Sequence, residues 1–374
     1  MDTKIPQKNN GVQSNGTQKS RANLRKLKRG YRDVARFPGR TYFLILITTV
    51  ILLFAFLTSF FVVLFKVELN NTNFPYGANA DEAIDTSVKT VGGNLPGKTV
   101  SKRASYISDS SSNRELISSE IGARNVILID LDTNKSIAEK SADTKIYPAS
   151  MTKVMSLLVA CETLRTLAKE LVVTQEVVDY SVKMGGSGVG LKVGDKLIVR
   201  DLLYLTAYQS DTVAVIMLAN FIAGSEANFV KLMNDKANQL GLKNTKFANC
   251  TGLHSPNNYT TCREMAAIFA YALENPLCKE LLTSYEKYKA GKYTIYSSWY
   301  SGRFSDNPNL KTVRVLGGKT GYIDESGFCL VSLAEGKSTG KKYIQVITGQ
   351  PKGNGYREEL SVKDIKYVYN NYAT

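Results

Sequence analysis

A run of 25 residues without a charge, Thr41 to Phe65 (TYFLILITTVILLFAFLTSFFVVLF), constrains this chain more than any other feature. As a helix it would measure ~37 Å, against roughly 30 Å of bilayer hydrocarbon. Arg21, Arg25, Lys26, Lys28, Arg29, Arg32, Arg36 and Arg40 precede the run, whereas only Lys66 and Glu68 follow it closely. The positive-inside rule keeps such an N-terminus cytoplasmic and sends everything after Phe65 across the membrane. A cleaved signal peptide is the competing reading, but its apolar stretch is usually about 7 to 15 residues. The nearest Ala-x-Ala, Ala78 to Ala80, also lies well beyond the run. A retained single-pass anchor is therefore expected.

The net charge of +15 loses its meaning as a nucleic-acid signal once it is divided along the chain. Residues 1–40 hold eleven Lys and Arg against Asp2 and Asp33, so +9 sits in that tail and +6 in the other 334 residues. A basic tail ahead of an apolar run reports membrane orientation; DNA binding needs a charged face on a folded module. Residues 66–117 are rich in Asn, Ser, Gly and Thr (NNTNFPYGANA, VGGNLPGK, SDSSSN) and show no sustained period. They read as a flexible extracytoplasmic linker with an r.m.s. span of roughly 40 Å. The expected order is a basic cytoplasmic tail (1–40), an anchor (41–65), the linker (66–117) and one folded domain (118–374).

The folded part opens with NVILIDLDTNKSIAEK, two β-rich runs around the polar turn Asp132 to Lys135. In YPASMTKVMSLLVACETLRTL, Pro148 marks a boundary and Met155, Leu158, Val159 and Glu162 continue at helical spacing from Ser150, which predicts a buried central helix. VRDLLYLTAYQ, TVAVIMLANFI, SEANFVKLMNDKANQ with Gly241 as its stop, and residues 261–274 read as further helices. Short β-type runs follow at Tyr293–Trp299, Thr312–Leu316, Gly327–Ala334 and Tyr343–Thr348, and VKDIKYVYNNY closes the chain as a helix. This order predicts an α/β chain with one antiparallel sheet covered by helices.

Elimination narrows the chemistry. His254 is the one histidine, so neither H-E-x-x-H nor a His-rich zinc site can be built, and no metal or cofactor is expected. A Ser-His-Asp triad would need His254, yet no G-x-S-x-G occurs; GGSGV around Ser187 fails at Val189. The phosphate-loop pattern ending in Gly318-Lys319-Thr320 fails at Val313, and GSGVG lacks the third dinucleotide glycine at Val193. Cys161, Cys250, Cys262, Cys278 and Cys329 form an odd set with no C-x-x-C, which fits free buried thiols; Cys250 with Cys262 is the pairing an oxidising exterior would allow.

What remains is a serine with a lysine. Ser150 and Lys153 stand in S-x-x-K spacing, which on a helix sets two side chains about 60° apart, on one face. A lysine held out of water has its pKa lowered and can take the serine proton. The spacing recurs at Ser284–Lys287 and Ser338–Lys341, but only Ser150 opens an apolar helix. Lys-Thr-Gly occurs once, at Lys319, Thr320 and Gly321. It offers a charge and a hydroxyl for a carboxylate, with a glycine where a substrate backbone can approach. A strand-end turn with a solvated lysine is the competing reading.

PASMTK, VRDLLYLTAYQSDTVAV, FANCTGLHSPNNYTT and GGKTGYIDESGFCL together resemble the serine D-Ala-D-Ala carboxypeptidases, the low-molecular-mass penicillin-binding proteins. The resemblance covers about residues 118–374. It implies the penicillin-recognising serine-transferase (β-lactamase/transpeptidase-like) fold: an antiparallel sheet flanked by helices plus an all-helical subregion, with the active site between them. It implies Ser150 as nucleophile and Lys153 as its base. Lys319 and Thr320 would bind the terminal carboxylate of a peptidoglycan stem peptide ending in D-Ala-D-Ala, Gly321 and Tyr322 would also contact the substrate, and the N–H groups of Ser150 and Tyr322 would form the oxyanion hole. β-Lactam antibiotics would acylate the same serine. The family's third motif, S-x-N, falls on Ser210-Asp211-Thr212; Ser210 would relay a proton, and Thr212 would meet the substrate backbone with one hydroxyl in place of an amide. A literal S-x-N stands at Ser255–Asn257, but helical context favours Ser210.

Two other readings share these motifs. A β-lactamase of the commonest class adds E-x-x-L-N for deacylation; between Thr212 and Lys319 the nearest approach is ENPLC, 274–278. A catalytically impaired wall-binding protein would keep the motifs and release nothing.

Overall fold

The hairpin that opens the folded part forms because its turn satisfies itself. In the computed structural model, which describes residues 115–117, 121–297, 310–350 and 358–373, Asp130 Oδ1 accepts from the N–H groups of Asp132 (2.8 Å) and Thr133 (3.0 Å). Asn134 then takes φ 57°, a left-handed conformation asparagine tolerates. The chain thereby folds β2 (Asn125–Asp130) back on β3 (Lys135–Lys140). The basic tail, the apolar run at 41–65 and most of the linker lie outside the described residues; among those described, no single helix is long and apolar enough to cross a membrane.

Six strands make the main sheet, in the order β1 (Glu115–Leu116), β3, β2, β10 (Lys342–Gln350), β9 (Gly327–Gly336), β8 (Val313–Ile323). Every pairing is antiparallel except that of β1 with β3, which is parallel and starts ahead of the expected boundary at 118. Two hairpins, β4 (Glu170–Val172) with β5 (Lys196–Ile198) and β6 (Tyr288–Ala290) with β7 (Tyr293–Ile295), stand apart from it.

Both faces of the sheet are covered, which explains why NVILID is apolar almost throughout. Ile127 and Ile129 face one core with Val331, Leu333, Ile344 and Val346, while Val126 and Leu128 face another with Leu330, Ala334 and Ile347. Over the second face lies α8 (Glu358–Tyr372), through Ile365, Val368 and Tyr369. The first face carries the helices: α1 (Thr152–Thr163), α2 (Gln175–Lys183), α3 (Val199–Tyr208), α4 (Thr212–Ala223), α5 (Glu226–Gln239), α6 (Cys262–Ala272) and α7 (Pro276–Thr283). α1 is buried from Thr152 to Ala160 and packs against α3, α4, α5, α6 and α7, so the helix that starts beside Ser150 is the axis of the helical region. The sequence-predicted antiparallel sheet with a helical subregion is therefore present.

Strand β8 runs further than the alternation at Thr312–Leu316 predicts, passing through Lys-Thr-Gly to Ile323. A bulge between Val315 and Gly317 decides what this strand presents. Val313 and Val315 pair with Gly336 and Ala334 and belong to the α8 side. An unbroken alternation would put Lys319 on that side too. The extra residue shifts the pleat by one, so Lys319 pairs with Val331 and Gly321 with Cys329, both on the helical side.

Candidate active site

Three chain segments meet at Ser150. The residue sits in a single 3-10 turn, Ala149–Met151, that leads into α1, and Ala149 before it holds φ 48°, which a non-glycine residue adopts only under constraint. The constraint comes from both sides. A Cβ on Gly252 would lie 1.9 Å from the Ala149 carbonyl oxygen, and one on Gly321 would lie 3.0 Å from the Ser150 nitrogen. Glycine at these two positions lets the 249–253 loop and the edge strand β8 close on the turn from opposite directions.

Lys153, one helical turn on, is 1% exposed. Its Nζ donates to Ser150 Oγ at 3.4 Å and to the Thr251 carbonyl at 2.6 Å. Burial lowers its pKa to about 8, with Cys250, Asp211 and Glu226 acting the other way. Reaching in from β8, Lys319 is also 1% exposed and donates to Ser210 Oγ and to the Thr320 carbonyl, both at 3.1 Å. Burial and the nearby Lys153 hold the Lys319 amine well below its ordinary value. Two buried amines that act on each other favour an incoming anion, which can restore a charge to one of them.

Ser210 occupies the turn between α3 and α4 at φ 56°, a second strained non-glycine residue. Asp211 is buried and caps α4, its Oδ1 accepting from Ala214 N–H at 2.9 Å and its Oδ2 from Val189 N–H at 2.8 Å. Thr212 departs from expectation. It is 1% exposed, its N–H donates to the Ser187 carbonyl at 2.8 Å and its hydroxyl accepts from Ser187 N–H at 3.1 Å. The hydroxyl expected to meet a substrate backbone thus clamps the glycine-rich 185–190 loop, because the helix start places it under that loop. Register puts Thr320 and Tyr322 opposite Leu330 and Phe328, and the Tyr322 hydroxyl donates to Asp324 at 2.7 Å.

The alternatives weighed from sequence fall elsewhere. Lys287 and Lys341 are exposed. Ser255 and Asn257 form a turn closed by the Asn257 N–H donating to Ser255 Oγ at 3.3 Å. His254 lies 3.7 Å from Glu325 and packs edge-on to Tyr147. All five cysteines are free: Cys250 lies against Glu226 while Cys262 lies against Thr348, which corrects the suggested pairing of these two. Among the described residues no group of His, Cys, Asp and Glu is arranged to hold a metal.

Comparison with known proteins bears on this geometry directly. Residues 110–352 match the model of the peptidase S11 family, described as D-alanyl-D-alanine carboxypeptidase. The chain belongs to this family. It is 31% identical over 264 residues to the D-alanyl-D-alanine carboxypeptidase DacF of Bacillus subtilis, covering 67% of this chain and 63% of the relative. Against DacA of Escherichia coli K12 it is 33% identical over 269 residues, covering 68% and 62%. The chain thus spans less than two thirds of the length of these relatives. Penicillin binding protein 5 of Haemophilus influenzae superposes with a TM-score of 0.57 at 27% identity, over 68% of this chain and 72% of that one. The matched span contains Ser150, Lys153, Ser210 and Lys319, the residues whose contacts are described above.

Sequence reasoning missed the 249–252 loop as part of this arrangement. Asn249 Oδ1 accepts from Thr251 N–H (3.2 Å), Thr251 Oγ1 (3.0 Å) and Gly252 N–H (2.7 Å), folding the loop so that its carbonyls point at α1. The cluster NCTG is a turn signal, but nothing in it announces a lysine 98 residues away.

Proposed function

We propose that this chain is a membrane-anchored serine D-alanyl-D-alanine carboxypeptidase that removes the terminal D-alanine from peptidoglycan stem peptides through an acyl-serine intermediate. The carrying observation is the 3.4 Å approach of a buried, water-poor amine, Lys153, to a hydroxyl, Ser150, with no imidazole between them. The substrate's terminal carboxylate pairs with Lys319. That carboxylate lets Lys319 carry the site's positive charge and leaves Lys153 neutral, since two like charges in a dry cleft disfavour each other.

Lys153 then takes the Ser150 hydroxyl proton as Oγ bonds to the carbonyl carbon of the scissile amide, and the carbonyl oxygen gains the displaced electron pair. The N–H groups of Ser150 and Tyr322 receive that oxyanion, an interaction whose loss typically costs ~3 kcal/mol of barrier. Collapse breaks the C–N bond, and the proton passes from Lys153 through Ser210 to the departing D-alanine nitrogen. Water then gives a proton to the same amine as its oxygen bonds to the acyl carbon; the acyl C–Oγ bond breaks and Lys153 returns the proton to Ser150 Oγ. A β-lactam enters by the same first step and stays, because its leaving nitrogen remains tethered. Thr320 and Gly321 line the carboxylate end. The Thr41–Phe65 run would hold the domain outside the membrane, with the N-terminus cytoplasmic.

The test is D-alanine release from a D-Ala-D-Ala peptide, with Ser150→Ala alongside, and mass-spectrometric mapping of a penicillin adduct. Release by wild type only, with a long-lived adduct on Ser150, supports the reading. Rapid turnover of penicillin would make the chain a β-lactamase, and an adduct without D-alanine release would make it a binder. Protease shaving of intact cells should remove the folded domain and spare the tail.

A further inference from the structure

Glu226 has no part in the steps above, yet it sits beneath the strip of backbone that holds Lys153. Ser156 and Lys153, three residues apart on α1, donate to consecutive carbonyls, Ser156 Oγ to Cys250 at 2.7 Å and Lys153 Nζ to Thr251 at 2.6 Å. From its other side Cys250 donates twice to Glu226 Oε1, through its N–H at 3.0 Å and its thiol at 3.2 Å. Glu226 Oε2 accepts the Tyr180 phenol, from α2, at 2.7 Å. Capping does not require this carboxylate, because Ser225 Oγ already accepts the Asn228 N–H at the start of α5.

We propose that Glu226 is a positioning residue for the reaction at Ser150: through Cys250 it fixes the carbonyl that holds the Lys153 amine, and it sets a negative charge facing that amine. The inference rests on the reading of Lys153 as the base. The charged and titratable groups facing Lys153 are Cys250 from the loop, Asp211 from the turn before α4, Glu226 from α5 and Lys319 from β8. Those facing Glu226 are Tyr180, Cys250 and Lys153. Burial favours the neutral amine, and the Glu226 carboxylate opposes it together with Cys250 and Asp211, so this residue contributes to where along the pH axis the amine becomes a base.

The experiment measures penicillin acylation of the full chain from about pH 5 to about pH 10, together with thermal midpoints, for wild type, Glu226→Gln and Glu226→Asp. Glu226→Gln keeps an oxygen for the Cys250 N–H and removes the charge. Its acidic limb should move to lower pH by roughly half a unit to one unit, because the neutral amine is favoured once the carboxylate is gone. Glu226→Asp keeps the charge on a shorter arm, so its limb should stay in place while its plateau falls about tenfold. A Glu226→Gln profile that superimposes on wild type, or is lowered equally at every pH, overturns the proposal. So does an undiminished Glu226→Asp plateau, which decides the matter if the glutamine variant does not fold. Wild type that is never acylated overturns the assignment of Ser150 and Lys153 first, and the inference with it.

Discussion

Lys319 Nζ, on the edge strand of the sheet, lies 3.1 Å from Ser210 Oγ, in the turn between two helices. Since the amine donates in this contact, the Ser210 proton is left to point toward a leaving nitrogen. Ser210→Ala should therefore lower kcat for the peptide by about 10²-fold or more, the usual weight of a positioned proton relay, with a smaller change in KM. Lys319→Met keeps the buried stem and removes the charge. It should raise KM for peptides ending in a free carboxylate by about tenfold to a hundredfold and leave C-terminally amidated peptides, which lack that charge, nearly unaffected. Equal losses on both substrates would show that Lys319 does not read the carboxylate.

The Lys153 amine must be neutral to accept a proton, and burial brings its pKa down to about 8. Acylation by penicillin should accordingly rise with pH, reach half its plateau near that value and stay high above it. Lys153→Arg carries a fixed charge of similar reach, because a guanidinium does not deprotonate in proteins. That variant should fold and yet lose acylation at every pH. A half-maximal rate near pH 6, or an active arginine variant, would remove the lysine from the base role.

Much of this arrangement was legible in the sequence, and the exceptions have physical reasons. The hairpin β2–β3 and helices α1, α3, α4, α5, α6 and α8 were legible from long apolar or periodic runs bounded by turn and capping residues, even where, as in β2, α1 and α4, burial on every side leaves little amphipathic contrast. QEVVDYSVK, which forms α2, buries only Val177 and Ser181, so it leaves little apolar signal. The side of the sheet on which Lys319 emerges depends on a bulge, and a bulge is one residue of register that two glycines do not spell out. Strain at Ala149 and Ser210 is likewise set by what packs around them. Thr212 read as a substrate contact because the motif numbering put it there; its burial beneath the 185–190 loop is a tertiary fact.

Gly252 offers a direct probe of how tightly the Ser150 turn is held. Its φ of 82° and the 1.9 Å approach of an added Cβ to the Ala149 carbonyl oxygen mean that alanine there meets both a disfavoured backbone and a clash with backbone atoms. Gly252→Ala should cost about 2–4 kcal/mol of stability. Acylation should fall as well, because relief of the clash moves Ala149 and with it Ser150. Chemical denaturation reads the first effect; an unchanged midpoint would mean the loop and turn are further apart than this packing requires.

Thr212 tests whether the glycine-rich loop is held for function. Its hydroxyl accepts the Ser187 N–H and its own N–H donates to the Ser187 carbonyl, while Asp211 holds the Val189 N–H, so three hydrogen bonds seat residues 187–189 against the start of α4. Thr212→Val preserves the shape and removes one acceptor, leaving the Ser187 N–H to find water at a cost of about 1–3 kcal/mol. The loop beside Ser210 should then be cut faster by a protease under native conditions, and KM for the peptide should rise while the rate of penicillin acylation stays near wild type. Thr212→Ser keeps the hydroxyl and should restore both. If valine changes neither cleavage nor KM, the backbone bonds and Asp211 hold the loop alone, and the hydroxyl is free to serve the substrate after all.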